Sequence, residues 1–235
     1  MTMQRYSLLI DADDTLWENN IYFERAFEQF VALLDHSDLT AEEIRDVLDE
    51  IEIENIQVHG YGSASFGRNL QQCFRRLAEK PFKEGELAAV MGLAEQILEQ
   101  PIELIDGVAE TLDHLAQRHR LILFSKGRPY EQNLKVDRSG LRRYFQQCRI
   151  VREKDTAAYT GLVEEAGLDR EKTWMVGNSP KSDVLPALDA GLNAVLVPHP
   201  HTWRLEHDEI PPASNRFVVV ERFGDLRTLF PDGRP

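Results

Sequence analysis

Asp11, Asp13 and Asp14 crowd three carboxylates into four positions, with Thr15 directly after them. Carboxylates this close repel one another, and taking them out of water is costly unless a cation neutralises them. Magnesium prefers carboxylate and carbonyl oxygens and keeps several waters, so it suits such a cluster. Far along the chain stand a hydroxyl (Ser125), a positive charge (Lys154) and two further oxygen ligands (Asn178 and Asp183). Together these groups match the needs of phosphoryl transfer, which asks for positioning and charge neutralisation more than for covalent machinery. Backbone N–H groups of the turn from Asp11 through Ala12 to Asp14 can cradle a phosphate.

These residues act together only if the fold gathers them. Tyr6–Ile10 reads as a buried strand that feeds the acidic turn. From Gly107 onward strands and helices alternate. Strands are expected over Leu121–Phe124, Gln147–Val151, Thr173–Val176, Ala194–Val197 and Phe217–Val220. Helices are expected over Val108–Arg118, Glu131–Ser139, Thr156–Ala166 and Asp183–Ala190. Alternation with apolar strands predicts an α/β core, a parallel Rossmann-like sheet covered on both faces. Ligands of such sheets bind beyond the carboxyl ends of the strands, which is where Asp11, Ser125, Lys154, Asn178 and Asp183 fall in this reading.

Between the first strand and Gly107 the periodicity is helical. Ile21, Phe23, Ala26, Phe27, Phe30, Val31 and Leu34 line one helix face. Thr40 with Glu43 reads as a capping box, and further helices are expected over Ser65–Glu79 and Glu84–Glu99. The domains are therefore an α/β core, 1–17 and 101–235, and an inserted all-helical domain, 18–100.

The whole chain has 235 residues and a formal charge of −13, from 40 acidic against 27 basic residues. Such a surface repels nucleic-acid phosphates and anionic lipid, so neither is an expected partner. It also obliges any anion site to carry its own positive charge, from a metal and a local lysine. Cys73 and Cys148 form no CxxC pair and read as reduced thiols. Met1 to Arg5 lead into the first strand with no signal-peptide pattern, and no apolar run reaches the ~20 residues that span a bilayer. A cytoplasmic protein is expected.

At this point the motifs resemble those of the haloacid dehalogenase-like (HAD) hydrolase superfamily, in its helical-cap phosphatase-like form. Asp11-Ala12-Asp13-Asp14-Thr15-Leu16 resembles the DxDxT signature, and Ser125-Lys126-Gly127 the second. Lys154 looks like the third, and Gly177-Asn178-Ser179-Pro180-Lys181-Ser182-Asp183 is similar to GDSxxxD. The resemblance implies Asp11 as nucleophile, forming an aspartyl phosphate, and Asp13 as general acid and base. It implies Mg2+ held by Asp11, the Asp13 carbonyl, and Asn178 or Asp183. Asn178 stands where the family usually has Asp, which keeps an oxygen but drops a negative charge. The helical domain sits where the family places its cap.

Substrate contacts are expected from Ala12, Asp14, Ser125, Lys126 and Gly127, and from the glycine-rich loop His59–Ser63 with Tyr61 and the nearby Arg68. A plain interhelical turn is the alternative for that loop. Lys126, Lys135 and Lys181 compete with Lys154, with Lys126 and Lys181 read as solvated or substrate-facing. His199-Pro200-His201 lacks further evident ligands and reads as a structural turn. The expected function is a magnesium-dependent phosphatase acting on a small phosphorylated metabolite. The alternatives are a phosphosugar mutase on the same scaffold and a catalytically weakened phosphometabolite-binding protein. Haloacid dehalogenation fits less well, since it has no use for Asp13. Oligomeric state is not legible.

Overall fold

A computed structural model describes residues 5–231 of the chain; the reading of Met1 to Gln4 as a lead without a targeting pattern lies outside them. The chain divides into two compact units, Met1–Glu18 with Ile102–Pro235, and Asn19–Pro101. Each junction falls one residue later than the sequence suggests.

The first unit is built on six parallel strands: β1 (Ser7–Ile10), β2 (Arg120–Lys126), β3 (Gln147–Val151), β4 (Thr173–Gly177), β5 (Asn193–Leu196) and β6 (Phe217–Val219). Their order is β3-β2-β1-β4-β5-β6. The chain winds outward from β1 through β2 and β3, then crosses back to β4 on the other side of β1. That reversal opens a crevice at the carboxyl ends of β1 and β4. Leu8 and Ile10 pack on one face with α5 (Val108–Ala116), through Val108, Leu112 and Leu115, and with Val136 of α6 (Pro129–Ser139). Leu9, Ile122, Phe124 and Met175 pack on the other with Tyr159, Leu162 and Val163 of α7 (Thr156–Ala166). The two-residue period of a strand sends alternate side chains to opposite layers, so both faces must be apolar.

Two local departures from expectation bear on the site. β2 runs through Ser125 and Lys126, so Ser125 lies inside the strand's last turn of ladder rather than after it. The helix expected over Asp183–Ala190 begins earlier, as a wide π turn over Pro180–Val184 that passes into a short helix over Leu185–Asp189. Pro186 has no N–H for the Ser182 carbonyl one turn back; the Tyr159 hydroxyl donates to that carbonyl instead, at 2.8 Å. Expanded turns of this kind are frequent at functional sites.

The second unit holds four α-helices, α1 (Asn20–Leu34), α2 (Ala41–His59), α3 (Ser63–Leu77) and α4 (Glu84–Glu95). The capping box forms as expected: Glu43 N–H donates to Thr40 Oγ1 at 3.3 Å, and Thr40 N–H to Glu43 Oε2 at 2.8 Å. Ala26, Phe27 and Phe30 enter a core with Ile44, Leu48, Ile51, Phe66, Leu70, Phe74 and Val90. Gly60 to Gly62 make the turn between the second and third helices. No helix among the described residues is long and apolar enough to cross a membrane.

Candidate active site

The Asp11 N–H donates to the Val176 carbonyl at 2.9 Å, which carries the β1–β4 ladder one residue beyond Ile10. Asp11 is thereby set at the crevice, beside the start of the Gly177–Asp183 segment. Thr15 Oγ1 lies 3.3 Å from Asp11 Oδ2 and 3.2 Å from Asn178 Oδ1, so one hydroxyl bridges the first and fourth motifs. Lys154 is buried, its ammonium in contact with Asp11 Oδ1 and 2.7 Å from Asp183 Oδ1. Asp183 Oδ2 accepts from the Ser179 N–H at 3.0 Å, so both Asp183 oxygens are engaged. Asp11, Lys154, Asn178 and Asp183, spread over more than 170 positions of sequence, form one buried cluster.

Its electrostatics follow from burial and sharing. Desolvation pushes the Asp11 carboxyl up to about 7; Lys154 opposes that shift, while Asp183 and Asp13 add to it. Burial pulls the Lys154 pKa down, but two carboxylates, Asp11 and Asp183, outweigh it and hold the proton on, well above the usual lysine value.

Asp13 has a separate set of partners. Trp17 Nε1 donates to its Oδ1 at 2.8 Å, Gln132 Nε2 to its Oδ2 at 2.9 Å, and Lys135 Nζ reaches both oxygens. Burial works to raise its pKa, yet Lys135, Gln132 and Trp17 prevail and hold it below the ordinary carboxylate value. Gln132 Nε2 also lies 2.8 Å from Ser125 Oγ, coupling the second motif to Asp13. Gly127, with φ +137°, permits this, because a Cβ there would sit 3.2 Å from the Gln132 side chain.

These contacts revise the readings of the cradle, of Asp14 and of Lys126, and agree with an exposed Lys181. Of the cradle over Asp11–Asp14, the Asp11 and Asp14 N–H groups are spent on the Val176 and Trp17 carbonyls, which leaves Ala12 and Asp13 to serve an anion. Asp14, in the left-handed region at φ 57°, turns its carboxylate toward His199, 3.8 Å away. Lys126 is not solvated: it pairs with buried Glu206 and lies 2.8 Å from Ser182 Oγ. Lys181 is exposed and donates to the Leu205 carbonyl. Tyr61 and Arg68 belong to the helical unit, in the turn before its third helix and on that helix.

His199 belongs to a turn, as expected, and meets Asp14 and Glu18 there, the three offering ligand atoms within 4.8 Å of one another. The His201 N–H donates to His199 Nδ1 at 3.3 Å, which leaves Nε2–H facing Glu18 Oε1 at 3.4 Å. The ring is satisfied by hydrogen bonds. Sequence reasoning missed Trp17, Gln132, Thr202 and Glu206, and had Lys135 only as a rival of Lys154. The three-residue spacing of Gln132 and Lys135 on a helix that starts just past β2 was the available signal. Thr202 and Glu206 sit in an irregular segment and had none.

Comparison with known proteins agrees with this fold. No curated protein matches the chain. A haloacid dehalogenase-like family hydrolase from Xanthomonas campestris superposes with a TM-score of 0.85 at 25% identity, covering 97% of this chain and 95% of that one. A HAD hydrolase from Bacillus subtilis, bound to magnesium, has a TM-score of 0.66 at 16% identity over 97% and 99% of the two chains. L-2-haloacid dehalogenase from Xanthobacter autotrophicus has a TM-score of 0.66 at 17% identity over 96% and 98%. The sequence profile of the haloacid dehalogenase-like hydrolases matches residues 7–191; with its motifs gathered in one buried cluster, this chain belongs to that family of hydrolases.

Proposed function

We propose that the chain is a magnesium-dependent phosphatase that hydrolyses a small phosphorylated metabolite through an aspartyl phosphate on Asp11. The observation that carries this reading is the dedicated set of partners around Asp13. Displacement of a halide needs only the nucleophile. An acid that must protonate a leaving alkoxide and then activate water needs a second carboxylate held close to the first. Trp17, Gln132 and Lys135 hold one here; all three donate to it, so they favour its carboxylate form and with it the water-activating half of the role.

The remaining groups have consistent tasks. Asp11 attacks phosphorus. Lys154 neutralises charge on Asp11 and on the phosphoryl oxygens. Ser125 Oγ accepts from Gln132 and turns its own proton to the Lys126 carbonyl at 3.5 Å, a long contact that a phosphate oxygen would displace. Ala12 and Asp13 N–H groups complete the cradle, with Gly127 lining the same edge.

The donor set suits magnesium. Asp11 Oδ2 and Asn178 Oδ1 flank the Thr15 hydroxyl, and both are hard oxygen ligands. Asp11, the Asp13 carbonyl and Asn178 would hold the ion, with Asp183 behind Lys154 as the further acid. Bound there, Mg2+ supplies positive charge for the transferring phosphoryl group. The magnesium-bound relative from Bacillus subtilis supports the same choice. Two free cysteines support a cytoplasmic location.

A panel of phosphorylated metabolites, assayed for free phosphate with Mg2+ and with EDTA, tests the reading. Metal-dependent release without any bisphosphate activator is expected. Chloride release from 2-haloacids, with no phosphate from any ester, would overturn it.

A further inference from the structure

Asn178 poses a problem that Asp at the same place would not. A carboxylate presents an oxygen whichever way it turns, whereas an amide presents either an oxygen or an NH2 group. Only the oxygen serves a cation. Something must therefore choose the amide's orientation, and the donor and acceptor roles around Thr202 do so.

Thr202 follows β5 in the segment that leads to β6. Its Oγ1 lies 3.0 Å from the His199 carbonyl oxygen and 3.0 Å from Asn178 Nδ2. A carbonyl can only accept, so the single hydroxyl proton of Thr202 is directed to His199. Toward Asn178 the hydroxyl then offers lone pairs alone. The group opposite must donate, which places NH2 against Thr202 and Oδ1 against Thr15 Oγ1 on the Asp11 side. Thr202 and Asn178 are both buried, so water does not readily substitute for either partner.

We propose that Thr202 is a positioning residue that fixes the Asn178 amide with its oxygen toward the metal locus, and so sets this chain's affinity for Mg2+. The inference rests on the magnesium reading above. It also accounts for asparagine in a place the family usually gives to aspartate. A carboxylate at 178 would face the Thr202 oxygen acceptor to acceptor, unless the hydroxyl abandoned the His199 carbonyl.

Mn2+ binding to the full-length protein, followed by the loss of the free-ion EPR signal without substrate, provides the test. Thr202→Val keeps the shape and removes the acceptor. Its Mn2+ affinity should fall by about tenfold, the lower end of what an outer partner of a metal ligand contributes. Thr202→Ala should show the same loss should the valine variant fold poorly, and Thr202→Ser should restore binding. In an Asn178→Asp background, Thr202→Val should cause no further loss, because no amide remains to be oriented. Unchanged affinity in Thr202→Val overturns the inference, as does an equal loss in the Asn178→Asp background. A wild-type protein that binds no Mn2+ overturns the magnesium reading as well, so the two failures are distinct.

Discussion

Lys135 places its ammonium 2.7 Å from each carboxylate oxygen of Asp13, from a helix 122 residues further along the chain. The pair is largely shielded from water, the two side chains being 11% and 24% exposed. Gln132, three residues earlier on α6, donates to the same carboxylate. The orientation and ionisation of Asp13 are therefore decided by α6 as much as by the turn that bears it.

Lys135→Met should lower turnover by about a hundredfold, the scale of a misplaced catalytic group, with a smaller effect on KM. Loss of the ammonium removes the main influence holding the Asp13 pKa down, so that pKa rises. The acidic limb of the kcat profile should then move to higher pH. A pH profile superposable on that of the wild type would show that Lys135 has no hold on Asp13. Asp13→Asn should cost about 10²- to 10⁴-fold, the usual contribution of an acid–base group.

Asp11→Asn should abolish phosphate release while altering stability in an instructive way. In the metal-free protein the folded Asp11 pKa, about 7, lies above the ordinary 3.8. The folded state thus keeps a proton that the unfolded chain has released, and stability falls as pH rises from about 4 to about 7. Urea midpoints in EDTA at about pH 5.5 and about pH 8 should reveal that decline in the wild type, and a smaller one in Asp11→Asn. Mg2+ should oppose it, because the ion competes with the proton for Asp11. Parallel pH dependences for the two proteins would refute the assignment.

Glu206→Gln should destabilise the fold by about 1–3 kcal/mol, less than a lone buried charge would cost, because its ammonium partner also has Glu153 at 3.7 Å. Lys126 is that partner, and Ser179 Oγ donates to the other Glu206 oxygen at 2.6 Å. Burial raises the Glu206 pKa, but Lys126 and the serines outweigh it and hold it below the ordinary carboxylate value. Its stabilisation is present above the unfolded carboxylate pKa and is lost as pH falls through the depressed folded one. The deficit of Glu206→Gln should therefore shrink on acidification; a constant deficit would assign its cause to packing.

Gly177→Ala tests how closely the fourth motif is packed. A Cβ at Gly177 would collide with the Asp183 carboxylate, which is 1% exposed and fixed by Lys154 and the Ser179 N–H. Overpacking of this kind costs about 1–3 kcal/mol, and displacement of Asp183 should loosen Lys154 from Asp11. Thermal unfolding together with phosphate release should both report the loss. Wild-type behaviour in both would mean that Asp183 has room to move.

Much of this protein is legible in its amino-acid sequence. The unbroken apolar run Leu8-Leu9-Ile10, and the helical spacing of Ala26, Phe27 and Phe30, encode burial directly, so the parallel core and the helical insertion follow from local pattern. Asp11, Ser125, Lys154, Asn178 and Asp183 were legible for a topological reason: each stands at or just past the end of a strand, and parallel strands deliver their ends to one edge. Partners that reach the site side-on left no such mark. Trp17, Lys135 and Gln132 around Asp13, Thr202 behind Asn178, and Glu206 against Lys126 depend on which helix face and which irregular segment close over that edge. Residue types and spacing alone determined the fold class and named the candidate reacting groups. Only the tertiary structure decided how those groups are oriented and charged, because hydrogen-bond direction and desolvation arise between segments far apart in sequence and exist only once the chain has packed.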